Sequence, residues 1–281
     1  MAYKISDNLK LRGGYARGFR APRAFNEDLH ISSVGGEPQF VILSSSLEAE
    51  FSNAYTASLN FTKDFNTTQT NFLLEGFYTS LENPFTLVST GVQLPNGSIV
   101  EEVRNGEGAR VYGANFEFGI SPTKKWLFQF GGTLQNSAYD EDQILFESDG
   151  SDPDESDILI SEFVRNPNFY GYLNTNWTPN ERFSLSVTGT FTGEMIVPFV
   201  VSDSGFLSLN ESSSFFDLNF NAETHFDVSD DFQLTLNAGV KNLFNSFQDD
   251  FDSGPTRDSD YVYGPALPRT FFVGIKIGKL H

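Results

Sequence analysis

The densest run of groups able to bind a cation is "YDEDQILFESDGSDPDESDILISE", Tyr139 to Glu162. Residues 140–163 carry ten carboxylates and no lysine or arginine. Oxygen-only ligands suit Ca²⁺, and Asp152, Asp154 and Asp157 are the candidate ligands. The spacing is not that of an EF-hand, because "SDGSDPDESD" lacks the closing bidentate glutamate at the required offset. The run therefore reads first as a solvated loop, and "DDFDSGPTRDSD", Asp249 to Asp260, reads the same way.

Proton-transfer chemistry has little to work with. The three histidines are His30, His225 and His281. An outer-membrane protease barrel would need an Asp–His arrangement at its outer rim to activate water. Only His30, in "NEDLH", could lie there, and that stretch reads as a polar loop. No G-x-S-x-G, H-E-x-x-H or phosphate-loop motif occurs. There is no cysteine, so thiolate catalysis, thiolate metal sites and disulfides are excluded. No catalysis and no cofactor are expected. With 18 Lys and Arg against 37 Asp and Glu, the formal charge of −19 argues against a nucleic-acid partner.

The elements that carry these groups are strands. Apolar and polar residues alternate with period two along most of the chain. In one run Phe216, Leu218, Phe220, Ala222, Thr224 and Phe226 share a face, and Asp217, Asn219, Asn221, Glu223 and His225 share the other. In the next, Phe232, Leu234, Leu236, Ala238 and Val240 oppose Gln233, Thr235, Asn237, Gly239 and Lys241. Ten strands are predicted, at about 9–19, 50–65, 69–82, 109–121, 125–139, 164–177, 181–194, 214–227, 231–243 and 268–279. The third and sixth are less regular, because "NFLLEGFY" and "NFYGYLNTNW" place apolar groups on both faces.

The connections sort by length. Short polar turns at 66–68, 122–124, 178–180 and 228–230 alternate with long segments at 20–49, 83–108, 140–163, 195–213 and 244–267. An outer-membrane β-barrel is built this way, with turns in the periplasm and loops outside, whereas a soluble β-sandwich adhesin has no reason to be. Phe65, Trp126, Trp177, Phe183, Phe226 and Phe232 fall near the short turns, where an interfacial girdle would sit. The aromatic content, 30 Phe, 10 Tyr and 2 Trp, suits both strands and membrane interfaces. The opening "MAYKISDNLKL" has no apolar core or cleavage site, so a leader, if there is one, is expected upstream.

In "LKLRGGYARGFRAPRAFNEDL" a strand runs to Phe19, Gly18 is expected to allow a tight bend, and Pro22 ends the hydrogen bonding at the outer rim. Gly18, Phe19, Arg20, Ala21 and Pro22 resemble the "GFRAP" element of TonB-dependent outer-membrane receptors. "LNAGVKNLFNSF", Leu236 to Phe247, a long loop and then "GPALPRTFFVGIKIG" resemble the end of the same family's barrel.

The resemblance covers essentially the whole chain and implies an all-β, antiparallel up-and-down transmembrane barrel in the bacterial outer membrane. Residues 1–281 would be a C-terminal portion, about ten strands of a 22-stranded barrel. The plug, the TonB-contacting segment and the first barrel strands would lie outside this sequence, with Met1 to Tyr3 the tail of an earlier strand. The chain ends in Leu280 and His281, whereas the family's sorting signal usually ends in an aromatic.

The resemblance further implies energy-coupled uptake of a scarce small-molecule ligand, such as an iron–siderophore complex or cobalamin. The partners would be outer-membrane lipid, the plug and remaining barrel, and the inner-membrane TonB complex through the N-terminal part. Asp217, Asn219, Asn221, Glu223 and Gln233 would face the lumen and hydrogen-bond the plug. The alternatives are a passive porin-like channel and a small outer-membrane protease barrel.

Overall fold

The computed structural model describes residues 1–22, 39–95, 99–146, 157–200, 207–229, 232–254, 257–258 and 261–279. Among them the first strands are β1 (Ala2–Lys4), β2 (Leu9–Arg20), β3 (Gln39–Leu43), β4 (Glu50–Phe65), β5 (Thr68–Glu82) and β6 (Phe85–Gln93). Next come β7 (Ile99–Asn105), β8 (Ala109–Ser121), β9 (Trp126–Tyr139), β10 (Gln143–Phe146), β11 (Ile158–Ile160) and β12 (Phe169–Asn180). The last are β13 (Phe183–Thr192), β14 (Ile196–Val200), β15 (Leu207–Glu211), β16 (Phe215–Ser229), β17 (Phe232–Lys241) and β18 (Thr270–Lys279).

Eleven of these form one sheet in the order β1-β2-β4-β5-β8-β9-β12-β13-β16-β17-β18. Every neighbouring pair in it is antiparallel. All ten predicted strands are present, and β1 adds an eleventh. The expected strand at 164–177 begins later, at Phe169, and runs on to Asn180. Arg165 there has a left-handed φ of 55°, which no strand residue adopts.

The register turns the alternation into two faces. Leu9, Phe61, Phe72, Phe118, Phe130, Leu173, Gly189 and Leu218 form one unbroken cross-strand row. A parallel row runs Ile120, Phe128, Thr175, Val187, Phe220, Val240 and Phe271. Both lie on the face whose large side chains are exposed, among them Tyr55, Phe130, Leu134, Val273 and Ile275. A soluble sheet would cover such a surface; one whose solvent is lipid leaves it bare.

Aromatic rows bound this face at both ends. Trp126 stacks on Trp177 at 5.3 Å, and Phe183 meets Trp177 edge-on at 6.1 Å, beside the short turns. Towards the long loops Tyr15, Tyr55, Tyr78 and Tyr112 form a ladder at 5.0, 6.4 and 6.5 Å. Only the first of these two girdles was expected from the sequence.

The long connections are not bare loops. β14 pairs β15 and β10 pairs β11 as antiparallel hairpins, and β3, β7 and β6 form a small separate sheet. The acidic segment read as a solvated loop thus contains the β10–β11 hairpin, in which Ile160 is buried.

Candidate functional site

The face opposite the apolar one is a wall of amides, hydroxyls and carboxylates joined across strands. Asn115 donates to Glu75 at 3.2 Å and accepts from Thr133 at 2.8 Å. Asn174 donates to Gln129 at 3.1 Å, Asn176 donates to Asn174 at 3.3 Å, and the Ser186 hydroxyl donates to Asn176 at 2.7 Å. The alternation puts every second residue here, which is why so polar a network can exist in a membrane-spanning sheet.

Asp217, Asn219, Asn221 and Glu223 lie along β16 on this wall, opposite Thr190, Thr188, Ser186 and Ser184. Gln233 joins them from β17, opposite Asp227. Asn219 is committed to the wall itself, accepting from the Asn242 backbone at 3.0 Å. Asp217 and Asn221 are different: each has its Oδ1 buried without a hydrogen-bond partner. Asp217 also lines a recess with Asn219, Lys241, Thr270 and Phe272, under Pro265 and Pro268. Nearer the short turns, His225 stands 3.2 Å from Glu223 and 2.9 Å from the Thr235 hydroxyl, and Arg182 pairs with Asp227 at 3.3 Å.

The motif Gly18, Phe19, Arg20, Ala21, Pro22 ends β2 at the long-loop side, with Ala21 and Pro22 past the strand. The bend expected at Gly18 is absent; Gly18 pairs in register with Ser52 inside a continuous strand. What it supplies is space, since a Cβ there would sit 2.7 Å from the Ser52 hydroxyl. Phe19 is 74% exposed on the apolar face, and the Arg20 guanidinium lies 5.2 Å from the Phe85 ring centre.

The last long loop is anchored at its base and clamped further out. Asn242, left-handed at φ 51°, donates to the carbonyls of Ser246 and Leu267 at 3.1 and 2.9 Å. Gln248 is 1% exposed; its Nε2 donates to the Tyr261 carbonyl, and its Oε1 accepts from the backbone of Tyr263 and Gly264. This brings two phenols to one carboxylate. Tyr261 donates to Asp250 at 3.1 Å, and Tyr263 lies 2.8 and 2.7 Å from its two oxygens. Burial, then the bonds to Asp250 and Tyr261, hold the Tyr263 phenol well above its ordinary range.

Of the candidate calcium ligands, Asp152 and Asp154 lie outside the described residues, as does His30, and Asp157 precedes β11. Among the described residues no three His, Asp or Glu side chains converge on a metal position. Sequence reasoning missed the tyrosine ladder and the Gln248 clamp. The ladder was legible as four tyrosines at matching strand depths, whereas the clamp joins irregular segments with no periodicity to reveal it.

An antiparallel sheet with an exposed apolar face, two aromatic girdles and a polar inner wall is part of a transmembrane β-barrel. The family model described as "TonB dependent receptor-like, beta-barrel" matches residues 1–243, and the chain belongs to that family. Its members are bacterial outer-membrane transporters, not enzymes. The siderophore receptor PirA from Acinetobacter baumannii superimposes with a TM-score of 0.65 at 14% identity, over 99% of this chain and 40% of that one. The ferripyoverdine receptor of Pseudomonas aeruginosa, bound to ferripyoverdine, gives 0.63 at 13% identity, over 99% and 32%. The ferric-catecholate import receptor Fiu of E. coli K12 gives 0.61 at 19%, over 99% and 34%. These likenesses show the fold, and the chain spans about two fifths or less of the receptors' lengths. No curated protein matches the chain.

Proposed function

We propose that the chain forms part of the barrel wall of a receptor that takes up a scarce ligand, such as an iron–siderophore complex or cobalamin, with energy delivered through TonB. Other segments of the receptor supply the plug and the remaining strands. The sheet meets lipid on one face, and on the other faces the plug along the row of Asp217, Asn219, Asn221, Glu223 and Gln233. The long loops meet the ligand outside.

The observation that carries this reading is the two-faced sheet: one face bare and apolar, the other a hydrogen-bonded wall of amides, hydroxyls and carboxylates on which Asp217, Asn219, Asn221 and Glu223 of β16 lie. The match to the TonB-dependent receptor barrel favours an energised receptor over a passive channel. The likeness of the sheet to siderophore receptors supports the same reading.

The test is to delete the receptor gene in its host and measure uptake of iron-loaded siderophores and of cobalamin, with and without a functional TonB. Loss of uptake of one ligand, equal to the loss on removing TonB, is expected. Uptake that continues without TonB and saturates only at high ligand concentration would establish a passive channel instead.

A further inference from the structure

We propose that the lipid-facing side of β2, β4, β5 and β8 seats one phosphorylated glycolipid of the outer leaflet, an acyl chain lying in a groove below the tyrosine ladder and the headgroup above it. This goes beyond the uptake reading and is independent of which ligand is taken up.

The strand register stacks four rows on this face. Arg17, Asn53, Ser80 and Arg110 lie towards the long loops, and the tyrosine ladder comes next. Gly13, Ala57, Gly76 and Ala114 follow, and then Leu11, Leu59, Leu74 and Phe116. The third row is almost without side chains between two rows of large ones. It floors a groove of about 1050 Å³ that runs from Gly13 to Leu134, with the tyrosines as its upper bank.

The packing of the chain does not require that floor to be bare. A glycine inside a strand weakens it, and such a position often marks the close approach of another group. A Cβ at Gly13 would come no nearer than 3.9 Å to another part of the chain, and at Gly76 no nearer than 4.0 Å. At Gly171, on the same face, it would sit 2.7 Å from the Gly131 carbonyl. The room over Gly13 and Gly76 therefore lies outside the sheet, where the membrane is. Across three strand spacings the floor is straight for roughly 14 Å, which suits a saturated chain better than a kinked one.

The row above the ladder selects the headgroup. The Arg17 guanidinium lies 4.7 Å from the Phe51 ring centre and has no carboxylate partner among the described residues, so it is available to a phosphate. Arg110 is already paired with Asp140 at 3.1 Å, and Glu82 accepts from Asn53 at 2.9 Å. One available cation beside two carboxylates suits a headgroup whose phosphate is accompanied by hydroxyls able to donate to Glu82 and Asp140, as a sugar's are. Tyr15, whose hydroxyl donates to Asn53 at 3.0 Å, joins this polar row to the groove below it. The long-loop side of such a barrel faces outward, so the lipid that meets these rows belongs to the outer leaflet.

The experiment uses the intact receptor containing this chain, stripped of lipid in detergent and followed by native mass spectrometry. It is titrated with hexa-acyl diphosphoryl lipid A and, separately, with dipalmitoyl phosphatidylglycerol. Arg17→Gln and Gly76→Leu should each weaken one bound copy of lipid A about tenfold or more, while Val273→Leu, on the same face but far along the sheet, should leave that copy in place. Phosphatidylglycerol should bind wild type and variants alike. Heat-modifiable mobility shows which variants are folded, and Gly13→Leu fills the same floor if Gly76→Leu does not fold. Unchanged lipid A binding in folded Arg17→Gln and a folded floor variant, or phosphatidylglycerol displacing that copy at equal concentration, would overturn the site and leave the face generally solvated by lipid.

Discussion

Gln248 does at residue scale what a short strand pair does elsewhere: it satisfies the backbone of Tyr261, Tyr263 and Gly264 from one buried amide. Gln248→Leu leaves those groups buried and unpaired, which should remove about 2–4 kcal/mol of local stability from the loop. The expected outcome is rapid proteolysis within 244–269 while the barrel keeps its heat-modifiable mobility; loss of the barrel itself would show that the clamp reaches further. The Tyr263 phenol gives a pH signature. Its folded pKa is raised above the ordinary 10.0, so its contribution is complete below that value and is lost as pH climbs through the folded one. Protease resistance of the loop should therefore hold from neutral pH to about pH 9 and fall only in stronger alkali, with that fall altered in Tyr263→Phe. None of this could be read from "QDDFDSGPTRDSDYVY", where Asp250 and Tyr263 resemble any polar loop and their meeting depends on an irregular backbone path. The polar-face residues were legible for the opposite reason: period two assigns Asp217 and Gln233 to the face opposite the apolar one without knowledge of their neighbours.

At the scale of elements, strands were legible wherever one face was apolar and the other polar, as in β16 and β17, and one boundary blurred where that contrast failed. β12 is the instance: "FVRNPNFYGYL" has apolar groups on both faces, and left-handed Arg165 with Pro167 delays the strand to Phe169. The loop hairpins escaped because four- or five-residue strands such as β10 and β14 are too short to show a period. Close packing between strands is testable at glycines. At Gly239 a Cβ would run into the Phe220 carbonyl and lie 2.6 Å from the Phe272 ring, whereas at Gly278 it would meet nothing within 4 Å. Gly239→Ala should cost about 1–3 kcal/mol by denaturant midpoint, with Gly278→Ala close to neutral. Equal effects would mean that the β17–β18 spacing is not as described. Among the described residues β10 and β11 pair only with each other, so excising 143–160 from the receptor should leave barrel assembly intact, since closing a shorter loop changes the entropy only slightly. Failure to assemble would make that hairpin structural.

For the whole molecule the proposed function requires a sheet with lipid on one side and a filled lumen on the other. Among the described residues its outermost strands, β1 and β18, pair on one side only, and the residues of β18 on the apolar face are among the barest in the sheet: Phe271 76%, Val273 81%, Ile275 71% and Ile277 71% exposed. Unpaired edges recruit other strands, so the 281-residue polypeptide expressed by itself should aggregate or stay an open sheet and restore no ligand uptake to cells lacking the receptor. The two-faced wall itself is best tested along β13, an interior strand of the sheet. The chain has no cysteine, so single cysteines at 183–192 in the intact receptor can each carry a spin label. In a bilayer, collision with lipid-soluble oxygen should alternate with period two, high at Phe183, Leu185, Val187, Gly189 and Phe191 and low at Ser184, Ser186, Thr188, Thr190 and Thr192. A profile without that period, or one with the even positions facing oxygen, would contradict the account.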